Sequence, residues 1–154
     1  MKAVVQRVKF ASVKVEGETV GCIDSGLLIL LGVSKEDSEA EAELLALKLS
    51  KLRIFSDEDD KMNLSVTDIG GGALVISNFT LCADLRRGTR PSFDPAMPPA
   101  RANELYEFFC KKLAECGVER VEKGIFGADM AVELLNDGPV TITVDTDIWN
   151  KPRK

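Results

Sequence analysis

The sequence predicts an α+β fold: a mostly antiparallel sheet core with two helices on one side. Two observations lead to this prediction. Strand-like segments outnumber helical ones, and most strands that follow each other along the chain are joined by hairpin-like turns. The length of 154 residues suits one domain that spans 1–154. Apolar residues make up 45% and charged residues 29%, which is typical of a globular chain rather than a disordered one.

The strand candidates show two kinds of pattern. Residues 2–15 alternate between apolar and polar side chains, which is typical of a strand with one buried face. Residues 27–33 form a continuous apolar run, which predicts a buried central strand. Glu16-Gly17-Glu18 predicts a hairpin turn between the first two strands. The other candidate strands are residues 19–23, 53–55, 73–79, 130–135 and 140–144.

Capping residues and periodicity predict two helices. Ser38-Glu39-Ala40-Glu41 has the spacing of a capping box and opens a helix that ends near Leu49. Pro98-Pro99 suits the first turn of a second helix. That helix has one apolar face, formed by Ala102, Leu105, Tyr106, Phe109 and Leu113. Before it, residues 83–99 contain four prolines, which predicts a long loop of functional importance.

The composition excludes several kinds of chemistry. The chain has no histidine, which removes Ser-His-Asp and Cys-His triads, histidine-ligated zinc and the usual general base near neutral pH. Its cysteines are Cys22, Cys82, Cys110 and Cys116, and no two of them form a Cys-x-x-Cys pair. We interpret them as small buried hydrophobic residues in a reducing compartment. We therefore expect no metal and no cofactor, and chemistry from main-chain groups, hydroxyls, amides, carboxylates or the substrate itself.

The net charge of −5 argues against a protein that coats a nucleic-acid duplex and limits any RNA contact to a small footprint. Two clusters of cations could supply such a contact or could simply be solvated surface. They are Arg86, Arg87 and Arg90 in the long loop, and Lys151, Arg153 and Lys154 at the C-terminus. The N-terminus lacks the features of a signal peptide, and no apolar stretch approaches the about 20 residues that cross a bilayer. We expect a cytoplasmic protein without membrane contact.

Two polar motifs are candidates for the functional site. Ser77-Asn78-Phe79-Thr80 ends an apolar strand, where N–H groups that leave the ladder could face a developing oxyanion. These residues could equally serve only the hydrogen bonds of a turn. Asn136-Asp137-Gly138-Pro139 has strong turn chemistry and predicts a hairpin turn between the last two strands. Because only about 5–6% of X-Pro bonds are cis, its X-Pro bond is expected to be trans on that ground alone.

Together, the two motifs resemble the paired signatures of the D-aminoacyl-tRNA deacylases, Ser-Gln-x-Thr and Asn-x-Gly-Pro. Other segments resemble the same family in the same order along nearly the whole chain: residues 6–8, 26–33, 53–57, 61–64, 87–93 and 127–130. The resemblance implies a three-layer ββα sandwich with two sheets. It also implies hydrolysis of the ester between a D-amino acid, or glycine, and the 3′-terminal ribose of tRNA, a step of translation quality control.

The resemblance also implies roles for individual residues. The catalytic residues would be Ser77, Asn78, Phe79 and Thr80. Ala102, Phe126 and Met130 would lie near the pocket for the terminal adenosine. In a homodimer, Gly138-Pro139 would carry a cis peptide bond and enter the active site of the partner subunit. There its carbonyls would hold the α-ammonium of the substrate and exclude an L side chain, while Arg7 would help to orient it.

One position departs from the family pattern. Asn78 stands where the family has glutamine, and its amide is one methylene shorter. On that ground we expect its hydrogen bond to the substrate or to Thr80 to be lost or bridged by water. If so, Asn78→Gln should maintain or raise turnover.

Two mechanisms stay open, together with two rival functions. Either the Thr80 hydroxyl attacks and forms an acyl-enzyme, or water attacks with help from a ribose hydroxyl, and main-chain N–H groups stabilise the oxyanion. The second is favoured, because a threonine needs an adjacent base and no lysine or carboxylate except Asp84 lies near it in sequence. The rival functions are a non-catalytic module that shelters the acceptor end and an esterase for small molecules.

Overall fold

The computed structural model describes residues 1–150, so the C-terminal cations Lys151, Arg153 and Lys154 lie outside the described residues. The strands are β1 (Lys2–Val15), β2 (Glu18–Ile23), β3 (Gly26–Gly32), β4 (Phe55–Ser56), β5 (Met62–Leu64), β6 (Gly72–Ser77), β7 (Arg120–Lys123) and β8 (Ala131–Asp145). The helices are α1 (Glu39–Ser50) and α2 (Pro99–Glu115), and 3-10 turns occupy Phe79–Cys82 and Thr146–Asn150. No helix in this part of the chain has the length and apolar character needed to span a membrane.

Six strands form one sheet around β1. β2 and β3 pair in turn along one edge of β1, and β8 pairs along the other edge, all antiparallel. β3 pairs with β6 and β6 with β7 in parallel, and β2 returns against β7, so the sheet curls almost into a barrel. β4 and β5 form a separate two-stranded sheet. The predicted α+β class is confirmed, while the curled main sheet differs in detail from the two-sheet sandwich that the resemblance implies.

The apolar run of β3 is buried on both faces, as predicted. Leu27 and Ile29 point into a core that both helices cover, whereas Leu28 belongs to a smaller core inside the curl of the sheet. The neighbouring strand β6 divides in the same way, with Val75 toward the helices and Leu74 inside the curl. Because successive side chains of a strand alternate between faces, β3 and β6 form the wall that the two cores share.

Both predicted helices form, and they pack against each other over the larger core. Ser38 caps α1: its hydroxyl oxygen accepts from the N–H of Ala40, and its own N–H donates to the Glu41 carboxylate. Pro99 occupies the first turn of α2. The predicted apolar face of α2 is buried along its whole length: Ala102, Leu105, Tyr106, Phe109 and Leu113.

Some predicted boundaries are wrong. β6 ends at Ser77 instead of residue 79, because the chain enters a 3-10 turn there. The short strand expected at residues 53–55 lies at β4, one to two residues later. β5 and β7 were not predicted, since strands of three and four residues are too short to show a clear period. The predicted turn between β1 and β2 is present, with Glu16 and Gly17 both at positive φ.

Only some of the cysteines are buried, although all four were predicted to be. Cys82 and Cys110 are buried, and all four thiols are free. Cys22 is exposed and Cys116 is partly exposed, so the expectation of four buried cysteines is wrong. Cys22 lies on the outer face of β2, where the alternating burial of the strand leaves it in solvent.

Candidate active site

One cleft of about 970 Å³ gathers most of the predicted site residues. It lies between β3, β6 and the 3-10 turn after β6 on one side and the start of α2 on the other. The four predicted catalytic residues all line it: Ser77, Asn78, Phe79 and Thr80. Three of the predicted substrate-binding residues also line it: Ala102, Phe126 and Met130. The remaining three, Arg7, Gly138 and Pro139, are not among the residues that line this cleft.

The 3-10 turn after β6 packs against the end of β3. The N–H of Asn78 donates to the carbonyl of Leu31 at 2.8 Å, which extends the contact between β6 and β3 by one residue. Gly32 permits the close approach, because a Cβ there would lie only 2.9 Å from the Cβ of Leu81 and 3.1 Å from the carbonyl oxygen of Asn78. The turn can therefore pack this closely against the sheet only because residue 32 has no side chain.

Two main-chain N–H groups at the start of the turn are available to a ligand. Phe79 and Thr80 are its first residues, and such N–H groups have no partner inside a helical turn. Within residues 1–150 we find no acceptor for either group. Both residues line the cleft. A pair of donors at such a position can stabilise an oxyanion that develops in the cleft.

The Thr80 hydroxyl donates a hydrogen bond to the amide oxygen of Asn78. The expectation that the shorter amide loses its contact with Thr80 is therefore wrong. The tight 3-10 turn brings residues 78 and 80 together, so that the shorter side chain reaches the hydroxyl. An amide oxygen is not a base near neutral pH, so this contact orients the hydroxyl without activating it as a nucleophile.

Residues 137–140 form a bulge within β8. The pairing of β8 with β1 jumps from Gln6↔Thr141 to Val8↔Asn136, which leaves the residues between without ladder partners. The segments before and after the bulge both pair with β1 and belong to one strand. The predicted hairpin turn at this place is therefore wrong.

Arg7 and Asn136 hold the bulge from its two ends. The Nε of Arg7 donates to the carbonyl of Asp137 at 2.8 Å, and its Nη1 donates to the carbonyl of Ile54 at 2.7 Å. The amide oxygen of Asn136 accepts from the N–H of Val140 at 2.8 Å. A side chain from a neighbouring strand thus ties the bulge to the loop before β4.

Gly138 and Pro139 lie at the exposed tip of this bulge. The peptide bond between them is cis, in contrast to the trans bond that general frequencies predict. Gly138 has φ of 145°, and a Cβ there would lie 2.8 Å from the N of Val140 and 3.2 Å from Nη2 of Arg7. Both the backbone conformation and the lack of space require glycine at this position.

Several residues of the cleft were not predicted as site residues: Gln6, Lys35, Phe93, Asp94, Met97 and Asp129. Gln6, Phe93 and Asp129 lie in segments that carry the family resemblance, which was the one signal that could have found them. Phe93 packs edge-to-face on Phe79, with 5.0 Å between ring centres. The other three entered the site only through tertiary contacts of the loop segments that carry them.

The groups with the largest pKa shifts do not line the cleft. Burial raises the pKa of the Tyr106 hydroxyl, which donates to the carbonyl of Val75 at 2.7 Å, and burial raises the pKa of the Cys110 thiol to about 12. The Arg86 guanidinium lowers the pKa of Asp84 to about 2. In the described residues, no three side chains of the His, Cys, Asp and Glu types gather in a metal-binding geometry. Besides main-chain N–H groups, the cleft is lined by hydroxyls (Ser77, Thr80), amides (Gln6, Asn78), carboxylates (Asp94, Asp129) and the ammonium group of Lys35.

Comparison with known proteins finds relatives that match nearly the whole chain. A profile of the family described as "D-Tyr-tRNA(Tyr) deacylase" matches residues 4–145. The "D-aminoacyl-tRNA deacylase" of Koribacter versatilis is 58% identical over 146 residues, which cover 95% of this chain and 97% of that protein. The protein of the same name from Roseiflexus sp. is 58% identical over 153 residues, which cover 99% of this chain and 98% of that one.

Solved structures share the fold. One described as "c-Myc DNA Unwinding Element Binding Protein" matches with a TM-score of 0.89 at 43% identity, over 94% of this chain and 98% of that one. A second, "Structural Analysis of a probable eukaryotic D-amino acid tRNA deacylase", matches with a TM-score of 0.79 at 15% identity, over 93% of this chain and 97% of that one. The profile and the near-full-length relatives together show that the chain belongs to the D-Tyr-tRNA(Tyr) deacylase family.

Proposed function

We propose that the protein hydrolyses the ester between a D-amino acid and the 3′-terminal ribose of tRNA, and releases free amino acid and free tRNA in the cytoplasm. The observation that carries the proposal is that the four predicted catalytic residues and the three residues predicted near the adenosine line one cleft. The turn with the free N–H groups of Phe79 and Thr80 forms one part of its wall, and Ala102, Phe126 and Met130 form another. Reacting groups and a binding surface for a nucleoside thus face the same space.

The size and lining of the cleft suit an aminoacyl-adenosine. Pockets for ligands of this size usually measure about 300–1,000 Å³ and are lined mainly by apolar side chains with a few polar groups. Here the cleft measures about 970 Å³. The small side chain of Ala102 leaves room at the start of α2, and Phe126 offers an aromatic ring beside the buried ring of Tyr106, 6.1 Å away between centres. We assign the adenosine to this end of the cleft.

For the chemical step we favour attack by water. An aminoacyl ester is already reactive, so positioning and oxyanion stabilisation can carry much of the rate. The N–H groups of Phe79 and Thr80 would bind the oxyanion, and a ribose hydroxyl of the substrate would assist the proton transfer. The alternative, attack by the Thr80 hydroxyl, lacks an adjacent base, because that hydroxyl donates to the Asn78 amide oxygen. Mass spectrometry of enzyme quenched during turnover separates the two, since only the alternative forms an acyl-enzyme on Thr80.

The chirality of the substrate would be read by a second subunit. Gly138 and Pro139 are exposed and do not line the cleft of their own chain, so a homodimer could place them in the cleft of the partner. Arg7 holds the bulge in place through the hydrogen bond from its Nε to the carbonyl of Asp137. Main-chain carbonyls of the motif would hold the α-ammonium group and leave no room for an L side chain. Main-chain atoms suit this role because they cannot rotate away from an unwanted substrate.

The deciding experiment is deacylation of D-Tyr-, L-Tyr- and Gly-charged tRNA at equal enzyme concentration. We expect turnover of the D-tyrosyl and glycyl esters, because glycine has no side chain to clash, and almost none of the L-tyrosyl ester. Equal rates on the two tyrosyl esters would refute the steric filter. Complete resistance of the glycyl ester would mean that the pocket requires a side-chain contact.

The same assay, with D-tyrosine esters that lack the tRNA portion added as substrates, tests the rival functions. One similar structure is named a "c-Myc DNA Unwinding Element Binding Protein", so a non-catalytic nucleic-acid-binding module is a rival that the assay has to test. Release of D-tyrosine in large molar excess over the protein would exclude such a module, whereas release limited to a stoichiometric amount would support it. An esterase for small molecules would cleave D-tyrosine esters equally well without the tRNA portion.

A further inference from the structure

The chain leaves the wall of the cleft after Thr80 and returns to it at Phe93, and residues 85–91 between them form an exposed loop. Asp84 and Ser92 close its base through two main-chain hydrogen bonds, of 2.8 Å and 3.0 Å. The next residue, Phe93, lines the cleft and packs on Phe79. Since a fully extended chain spans about 3.5 Å per residue, the middle of the loop lies at most about 14 Å from Ser92. The charged side chains of this loop therefore lie near the opening of the cleft.

The three arginines of the loop differ in their partners. Arg86 is committed to the base of the loop, since its Nη2 and Nε lie 2.7 Å and 2.9 Å from the two carboxylate oxygens of Asp84. Arg87 and Arg90 are exposed, and within residues 1–150 neither has an ion-pair or hydrogen-bond partner. The ion pair of Arg86 thus holds the loop, while two guanidinium groups remain open to a ligand.

The chain as a whole is acidic, with a net charge of −5, so these unpaired cations are not part of a generally basic surface. Guanidinium groups suit phosphate because their planar donors match its oxygens. With the aminoacyl ester in the cleft, the nucleotides before the terminal adenosine must leave it and carry phosphates past its rim. We propose that Arg87 and Arg90 bind these phosphates, an inference that rests on the proposed function and adds an RNA contact of small footprint.

The test compares two double variants with the wild type. Arg87→Ala/Arg90→Ala removes the proposed contacts and leaves the Arg86–Asp84 pair intact. Lys51→Ala/Lys61→Ala removes the same charge from exposed positions that do not line the cleft. For each protein, kcat/KM is measured on D-Tyr-tRNA and on the D-tyrosyl ester of adenosine, at several salt concentrations. Binding of uncharged tRNA is measured over the same range by fluorescence anisotropy.

Each phosphate contact on a single strand contributes about 0.7 to the slope of log affinity against log salt. For two contacts, a rise from about 50 to about 200 mM salt should cost the wild type and the lysine control about sevenfold more kcat/KM on tRNA than the arginine variant. On the adenosine ester the three proteins should respond to salt alike.

The outcomes separate this inference from the proposed function. If the wild type turns over D-Tyr-tRNA but the arginine variant has the same salt dependence as the lysine control, the phosphate contact is refuted alone. If the wild type does not hydrolyse the ester, the proposed function fails, and the binding of uncharged tRNA still decides the contact. An equal salt slope for all three proteins in that measurement would overturn it.

Discussion

Replacement of Gly32 by alanine tests whether the contact between β3 and the 3-10 turn positions the reacting groups. The new Cβ would lie 2.9 Å from the Cβ of Leu81, 3.1 Å from the carbonyl oxygen of Asn78 and 3.3 Å from the Sγ of Cys82. Carbon atoms pack at about 3.5–4.0 Å, so the turn has to move by about 0.6–1 Å. A misplacement of about 1 Å can lower the rate by about 100-fold. The crowding itself should cost about 1–3 kcal/mol of stability.

A matched control separates displacement of the turn from general destabilisation. At Gly71 a Cβ would lie 2.9 Å from the carbonyl oxygen of Ser25, a similar clash, but at the opposite end of β6 from Ser77 and outside the cleft. Both variants should lose about 2–12 °C in Tm, since about 1 kcal/mol shifts Tm by about 2–4 °C at this size. Only Gly32→Ala should lose kcat on D-Tyr-tRNA. A kcat within twofold of that of Gly71→Ala, at a temperature where both are folded, would refute the reasoning.

Three further predictions concern other contacts. Asn78→Ala frees the Thr80 hydroxyl and should lower kcat about tenfold, or about 1.4 kcal/mol, whereas Asn78→Gln keeps the amide and should lose less; an Ala variant as active as wild type would contradict this. Asp37→Asn removes the charge that faces the buried amino terminus, so calorimetry should show a loss of about 3 kcal/mol or more and a Tm lower by at least about 6 °C. An unchanged Tm would count against that ion pair. Alkylation of the folded protein at pH 8, followed by mass spectrometry, should label the exposed Cys22 and spare Cys110, because burial raises the pKa of the Cys110 thiol to about 12 and leaves little thiolate; early labelling of Cys110 would show that its site opens.

Local signals were sufficient for the helices and the central strand. The capping box at Ser38 predicted the start of α1, and the apolar face of α2 predicted its buried side chains. The continuous run of residues 27–33 predicted a strand buried on both faces. Each of these features depends on residues that are close together in sequence, so a local sequence pattern is enough to predict it.

The region of Asn136 shows where local signals fail. Asn-Asp-Gly-Pro favours a turn, yet the segments on both sides pair with β1, so the chain forms a bulge instead of a hairpin. Pairing with a distant strand outweighs local turn preference, because a long ladder satisfies many main-chain groups at once. No short-range pattern could reveal that Arg7 supports the bulge, since 130 residues separate it from Asp137.

For the site, the sequence by itself determined which groups could act: a chain without histidine has to rely on main-chain groups, hydroxyls, amides, carboxylates or the substrate itself. The tertiary structure decided their geometry. Ser77 ends β6, and the missing side chain of Gly32 lets the following turn settle on β3, where the Asn78 amide meets Thr80. The amino-acid composition is the same whatever fold the chain adopts. Distances between side chains, in contrast, depend on packing between strands that are far apart in sequence.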